Sequence, residues 1–217
     1  MDASARLDEI RGRTRRAALR AGRDSDEVTL IAVSKTFPAE AILELYRAGQ
    51  RDFGESRLQE WEQKRAALPT DIRWHFVGHL QSNKARRIAD GASVIHSLGS
   101  ESALVELEKR ETKCDVLIEV NVASEPQKSG IFPEALDRFI DKVLECNEVC
   151  LKGLMTIGPS TRTAEESRPW FRLMNVLREG HPQLQWLSMG MSQDFEVAIE
   201  EGSTHIRVGS ALFGRRP

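Results

Sequence analysis

Short apolar runs alternate with amphipathic stretches along almost the whole chain. Residues 28–34 (VTLIAVS) hold six apolar or β-branched residues in seven, and Thr36-Phe37-Pro38 stops the run. That pattern predicts a strand covered on both faces rather than a helix. Upstream, Leu7, Ile10, Thr14, Ala17 and Ala21 recur at helical spacing and predict an N-terminal helix with that stripe inward. Downstream, Pro38 opens a helix with Ile42, Leu45 and Tyr46 on one stripe, and Gly49 caps it. Further strands are expected over 51–55, 73–78, 93–98, 115–122, 151–157, 185–191 and 205–209. Between them fall helices over 57–68, which Pro69 ends, over 80–89, through Leu104 and Leu107, and over 133–146. Another carries Trp170, Leu173, Met174 and Leu177 and begins or kinks at Pro169, and a last one over 192–201 is stopped by Gly202.

Eight strands, each followed by a helix or helical turn across connections of a few residues, predict a closed parallel (β/α)8 TIM barrel. A doubly wound open sheet is the competing fold. Its usual Gly-rich first turn is missing, because the first strand here runs into SKTFP. With no repeat, linker or low-complexity segment, one domain is expected over 1–217, with 1–27 forming an extra helix that packs on the barrel.

Composition adds exclusions. The 217 residues are 29% charged and 40% hydrophobic with a net charge of −2, which gives no electrostatic case for nucleic acid. The seven arginines from Arg6 to Arg23 are interleaved with Asp2, Asp8, Glu9, Asp24 and Asp26, a pattern that suits a solvated helix face and not a transit peptide. No run is long enough to span a bilayer and no signal peptide precedes the first strand, so a cytoplasmic protein is expected. Cys114, Cys146 and Cys150 form no CxxC pair; the last two have the spacing of one helix face, and all three are taken as packing residues. The five histidines are scattered singly, without the spacing of a metal site.

A barrel of this kind carries its chemistry at the carboxyl ends of its strands. Lys35 ends the first strand at the edge of an apolar pocket, where desolvation would favour the free amine that attacks a carbonyl. Glu55, His79, Asn121, Ser192 and Arg207 end other strands. At the last two strands, spacing leaves two readings open. In one, Ser192 caps its helix and, with the backbone of Gly209 and Ser210, cradles a phosphate; in the other, the serine only caps and the glycine only turns. An amine beside a phosphate cradle suits pyridoxal phosphate, and Arg207, a permanent cation, would keep its ring nitrogen unprotonated.

The segments AVSKTFP, FGESRLQE, WHFVGHLQSNK, VLIEVNVASEPQKSG, GLMTIGP and LSMGMSQDFEVAIEEGSTHIRVGSALFG together closely resemble the pyridoxal phosphate homeostasis (YggS/PROSC) family. The resemblance covers nearly all of 28–214. It implies a barrel similar to the N-terminal domain of alanine racemase, with the cofactor lysine at Lys35, phosphate contacts at Ser192, Gly209 and Ser210, and Arg207 near the ring nitrogen. Two positions depart from the family: Ser56 stands where it usually has Asn, and Gly99 where it has Asp.

The expected role is that of a carrier that holds pyridoxal phosphate as a Schiff base on Lys35, limits the free aldehyde and supplies it to apo-enzymes. A racemase would need a second base, and Tyr46 lies mid-helix on a core stripe. Lys128, in the loop EPQKSG, is a candidate relay amine or a solvated lysine. A racemase and a Schiff-base aldolase are the alternatives. The expected partners are pyridoxal phosphate and recipient enzymes, with no nucleic acid or membrane, and a monomer is expected.

Overall fold

The computed structural model describes residues 2–214. An N-terminal helix, α1 (Ala3–Arg20), precedes eight strands: β1 (Thr29–Val33), β2 (Asp52–Glu55), β3 (Arg73–Phe76), β4 (Val94–Leu98), β5 (Cys114–Glu119), β6 (Val149–Met155), β7 (Trp186–Met191) and β8 (His205–Val208). After them in turn come α2 (Ala39–Arg47), α3 (Leu58–Ala67), α4 (Ser82–Ala89), α5 (Glu101–Glu108), α6 (Leu136–Glu145), α7 (Arg168–Glu179), α8 (Phe195–Glu200) and the short α9 (Ser210–Phe213). The strands are parallel in sequential order and close on themselves, β8 pairing with β1 from Thr29↔His205 to Ala32↔Val208.

Period-two alternation sorts each strand. Leu30, Ala32, Phe53, Trp74, Ile206 and Val208 face outward and share one core with the apolar stripes of the helices. Their alternates turn inward, and among these Ile31, Leu117 and Met155 fill the barrel with apolar bulk while His75, His96, Ser188 and Arg207 place polar groups on its axis. The N-terminal helix buries Leu7, Ile10, Thr14 and Ala17 as expected, with Ala3 and Ala18 completing the stripe in place of the half-buried Ala21. Its arginines are more than a solvated face: Arg13 pairs with Glu196 at 2.9 Å, and Arg23 donates to the Ile199 and Ser203 carbonyls.

Two expectations are corrected. Cys146 is the residue just after α6 and Cys150 lies within β6, so a turn separates them and they share no helix face. The helix after β7 begins at Phe195 with Asp194 in the capping position, because residues 192–194 form a turn in which Asp194 Oδ1 accepts the Met191 N–H at 2.8 Å. Ser192 therefore caps nothing.

The turn after β1 rests on a buried ion cluster. Lys64 donates to Ser34 O (2.8 Å), Glu55 Oε1 (2.6 Å) and Glu60 Oε1 (2.7 Å), while Glu60 also accepts the Thr36 N–H at 2.6 Å. These bonds hold Thr36 at φ 70°, a left-handed conformation that costs a β-branched residue about 1–2 kcal/mol. Burial raises the Glu55 carboxyl despite its bonds from Lys64 and Ser34. Truncating Lys64→Met leaves that carboxylate enclosed without its cation, so the variant should lose about 3 kcal/mol near neutrality. The deficit should shrink on acidification as Glu55 takes a proton, and Glu55→Gln added to Lys64→Met should recover much of it; denaturant unfolding across pH checks both.

At the opposite, amino end of the barrel, Arg73 donates two hydrogen bonds to Asp52, at 2.7 and 2.5 Å. Burial by itself would raise the Asp52 carboxyl, but the bonds from Arg73 and His75 outweigh it and bring it down to about 2. A folded-state value below the unfolded one stabilises at neutral pH, and the gain is lost as pH falls. We expect about 2 kcal/mol to disappear between about pH 4 and about pH 2, and Asp52→Asn to flatten that stretch of the stability profile.

Candidate functional site

The carboxyl ends of the strands surround a cavity of about 560 Å³, within the range of small-molecule sites. Lys35, Arg207, Ser192, Gly209 and Ser210 all line it, together with Lys128. Barrel closure makes this grouping, since β1 and β8 are hydrogen-bonded neighbours and their ends deliver Lys35 and residues 207–210 to one side of the mouth.

Lys35 lies just beyond β1 and is exposed, at the rim of the mouth rather than enclosed within it. Phe37 fixes the far side of the turn by stacking on Phe213, ring centroids 4.8 Å apart. Between Lys35 and the far wall, Val33, Val77, Ile157 and Met191 provide apolar surface. Ile157 and Met191 are 42% and 41% exposed, which leaves apolar area at the mouth that a flat ring would cover.

Gly209 donates its N–H to Ser192 Oγ at 3.3 Å, so a backbone donor of the β8 end and a hydroxyl of the β7 end flank the same spot. Beside them α9 opens at Ser210; the Leu212 and Phe213 N–H groups bond Gly209 O, so in its first turn only those of Ser210 and Ala211 have no intrahelical acceptor. The hydroxyl and these N–H groups meet at one point of the rim, brought there by a loop and a short helix rather than by a cap on α8. Deeper in, Arg207 is 5% exposed and donates to Ser188 Oγ (2.6 Å) and Thr156 O (2.8 Å). Burial lowers its pKa to about 10, which leaves it a cation near neutrality.

The loop over 123–130 is tied down by Asn121, whose amide donates to Glu125 O (2.7 Å) and accepts the Glu125 N–H (3.0 Å). The tether holds Lys128 at the mouth, where its amine bonds Glu125 Oε1 (2.6 Å) and Gly158 O (3.2 Å). Gly99 has a local reason: a Cβ there would lie 3.1 Å from Gly130 Cα and 3.5 Å from Glu119 Oε2, so an aspartate would crowd the loop and set a second carboxylate against a buried one. Ser56 presses its backbone on Gly78, where a Cβ would fall 2.2 Å from its carbonyl oxygen, and neither Ser56 nor Glu55 is on the cavity wall. Glu55 faces outward into the Lys64 cluster instead. Sequence reasoning missed that cluster, although the Glu60–Lys64 spacing of one helical turn was visible, and missed Asp194, which accepts from Ser167 Oγ at 3.0 Å and shapes the cradle turn.

A small phosphorylated aldehyde with a planar ring fits these features: an amine at the rim, apolar walls for the ring, a cation at depth and N–H donors for the phosphate. The chain matches the family defined by the alanine racemase N-terminal domain over residues 5–217. It is 44% identical to the pyridoxal phosphate homeostasis protein of Aquifex aeolicus over 226 residues, covering 100% of this chain and 99% of that one. Among solved structures it is similar to PipY of Synechococcus elongatus with pyridoxal phosphate bound, at 36% identity and TM-score 0.81 over 98% of this chain and 100% of that one. Alanine racemase from Corynebacterium glutamicum shares the fold at 17% identity and TM-score 0.71, over 97% of this chain and 62% of that one. By sequence along its full length, and by a barrel whose mouth collects the expected residues, the chain belongs to the pyridoxal phosphate homeostasis protein family.

Proposed function

We propose that this protein binds pyridoxal phosphate at the barrel mouth and serves its homeostasis, holding the cofactor reversibly and passing it to apo-enzymes. The observation that carries this reading is the meeting of Lys35, Arg207, Ser192, Gly209 and Ser210 on one cavity wall. Lys35 anchors the aldehyde as a Schiff base; Ser192 Oγ and the Gly209 and Ser210 N–H groups hold the phosphate; Arg207 faces the ring nitrogen. When bound, the cofactor supplies an electron sink, and a guanidinium that can only donate weakens that sink by keeping the nitrogen unprotonated.

Carriage rather than turnover is favoured by what surrounds Lys35. Among the described residues, the cavity wall contributes no tyrosine, histidine or cysteine as a second base. The lone tyrosine, Tyr46, lies on α2 and donates its hydroxyl to Asp71 at 2.6 Å, beneath the Arg51 guanidinium. The exposure of Lys35 favours exchange with solvent over carbanion chemistry, which needs water excluded. We place this exchange in the cytoplasm, in keeping with cysteines that are all free.

Lys128 enters as a relay. Its amine is half-buried at the rim, and breaking its bonds to Glu125 and Gly158 would free it to receive the aldehyde from Lys35. Titrating the purified protein with pyridoxal phosphate should raise a visible Schiff-base band that Lys35→Ala lacks; a wild-type protein without the band, or a Lys35→Ala protein that keeps it, would overturn the assignment. Lys128→Ala should retain the band yet transfer cofactor to an apo-enzyme more slowly. An unchanged transfer rate removes Lys128 from the route.

A further inference from the structure

A cation enclosed in a barrel needs compensation, and the two acceptors that touch Arg207 are both neutral. Asp194 and Glu119 act on it only through space. The hydrogen bonds, however, continue past Ser188. Its Oγ is 2.9 Å from His96 Nδ1, His96 Nε2 is 2.9 Å from His75 Nδ1, and His75 Nε2 is 3.1 Å from Asp52 Oδ1. Asp52 is the carboxylate that Arg73 grips at the amino end of the barrel. An unbroken polar chain thus runs along the axis from the cavity wall to the opposite end, through side chains that are all buried.

Its two ends fix its direction. A guanidinium accepts nothing and a carboxylate donates nothing. If both histidines are neutral, Arg207 donates to Ser188, Ser188 to His96 Nδ1, His96 Nε2 to His75 Nδ1, and His75 Nε2 to Asp52, with every hydrogen used once. The reverse order requires a doubly protonated His75. It would put a second cation on the axis for a carboxylate already shared with Arg73, and leave Ser188 accepting from both sides with its own hydrogen unplaced. A third ring packs against the chain: His205 lies 6.4 Å from His75 and 5.9 Å from His96, with its Nδ1 2.8 Å from Thr204 Oγ1. Burial keeps His205 neutral down to about 3 and holds His96 well below its ordinary value, so neither ring adds a charge to the axis.

We propose that Asp52, His75, His96 and Ser188 form a one-way hydrogen-bond relay that positions Arg207 and carries to it the counter-charge of a carboxylate at the far end of the barrel. They are positioning residues. The consequence for the ligand rests on the proposed function: a guanidinium held in this way meets the ring only as a donor, so the site selects an unprotonated pyridine nitrogen.

The relay is tested on the full chain with no cofactor added, by nitrogen-15 NMR of the histidine side chains near neutral pH. The expected result is the Nε2–H tautomer for both His75 and His96, with Ser188→Ala shifting the His96 Nδ1 resonance and Ser188→Thr, which keeps the hydroxyl, restoring it. An Nδ1–H tautomer on His96, a doubly protonated His75, or an Nδ1 resonance indifferent to Ser188→Ala would overturn the relay. Cofactor titration then reads the consequence: Ser188→Ala should bind pyridoxal phosphate about tenfold more weakly, as expected for one lost hydrogen bond to a charged group, with the label still on Lys35. Wild-type protein that shows the expected tautomers yet binds no pyridoxal phosphate would refute the proposed function and leave the relay standing.

Discussion

The pairing of β8 with β1 is the constraint on which the mouth depends. Parallel strands bond only with registered neighbours, and the register Ile31↔Arg207 and Ala32↔Val208 fixes how far each strand runs before it breaks into its loop. Lys35 leaves from one strand and Gly209 and Ser210 from the other, so the amine and these backbone donors become neighbours only because the sheet closes. The same pairing turns Arg207 inward. A doubly wound sheet would have left β1 in its middle and this set of groups apart.

Closure also divides the charges of the strands between two environments. Glu55 turns outward and meets Lys64 and Glu60 beneath the Lys35 turn, where the three groups offset one another and hold Thr36 in its left-handed conformation. Asp52, three residues earlier and inward, becomes the far end of the axial chain. One strand therefore supports the cofactor site twice, from behind the turn and from beneath the cavity. Polar groups on a barrel axis are costly unless each is bonded, and here the bonding is what gives Arg207 a fixed place.

Much of this was legible in the sequence because it is local. The β/α alternation, the stops at Gly49 and Gly202, and the strand that ends at Lys35 follow from short-range pattern and turn chemistry. Motif resemblance then supplied Ser192, Arg207, Gly209 and Ser210 as a set. What escaped was non-local. His75 and His96 read as isolated histidines, since only the barrel's register brings His75 Nδ1 to 2.9 Å from His96 Nε2, and Glu55 read as a mouth residue because a single strand does not reveal which face its last side chain takes. Ser192 was misread as a helix cap because the Asp194 bond to the Met191 N–H closes residues 192–194 into a turn and delays the helix to Phe195.

The central claim is that one lysine, at the end of the first strand, holds the cofactor. Borohydride reduction of the protein loaded with pyridoxal phosphate, followed by proteolysis and mass mapping, tests it most directly, because it names the modified residue. The account predicts the reduced adduct on the peptide that contains Lys35 as the dominant label. Label confined to Lys128, or to lysines outside the barrel mouth, with Lys35 unmodified, would contradict it.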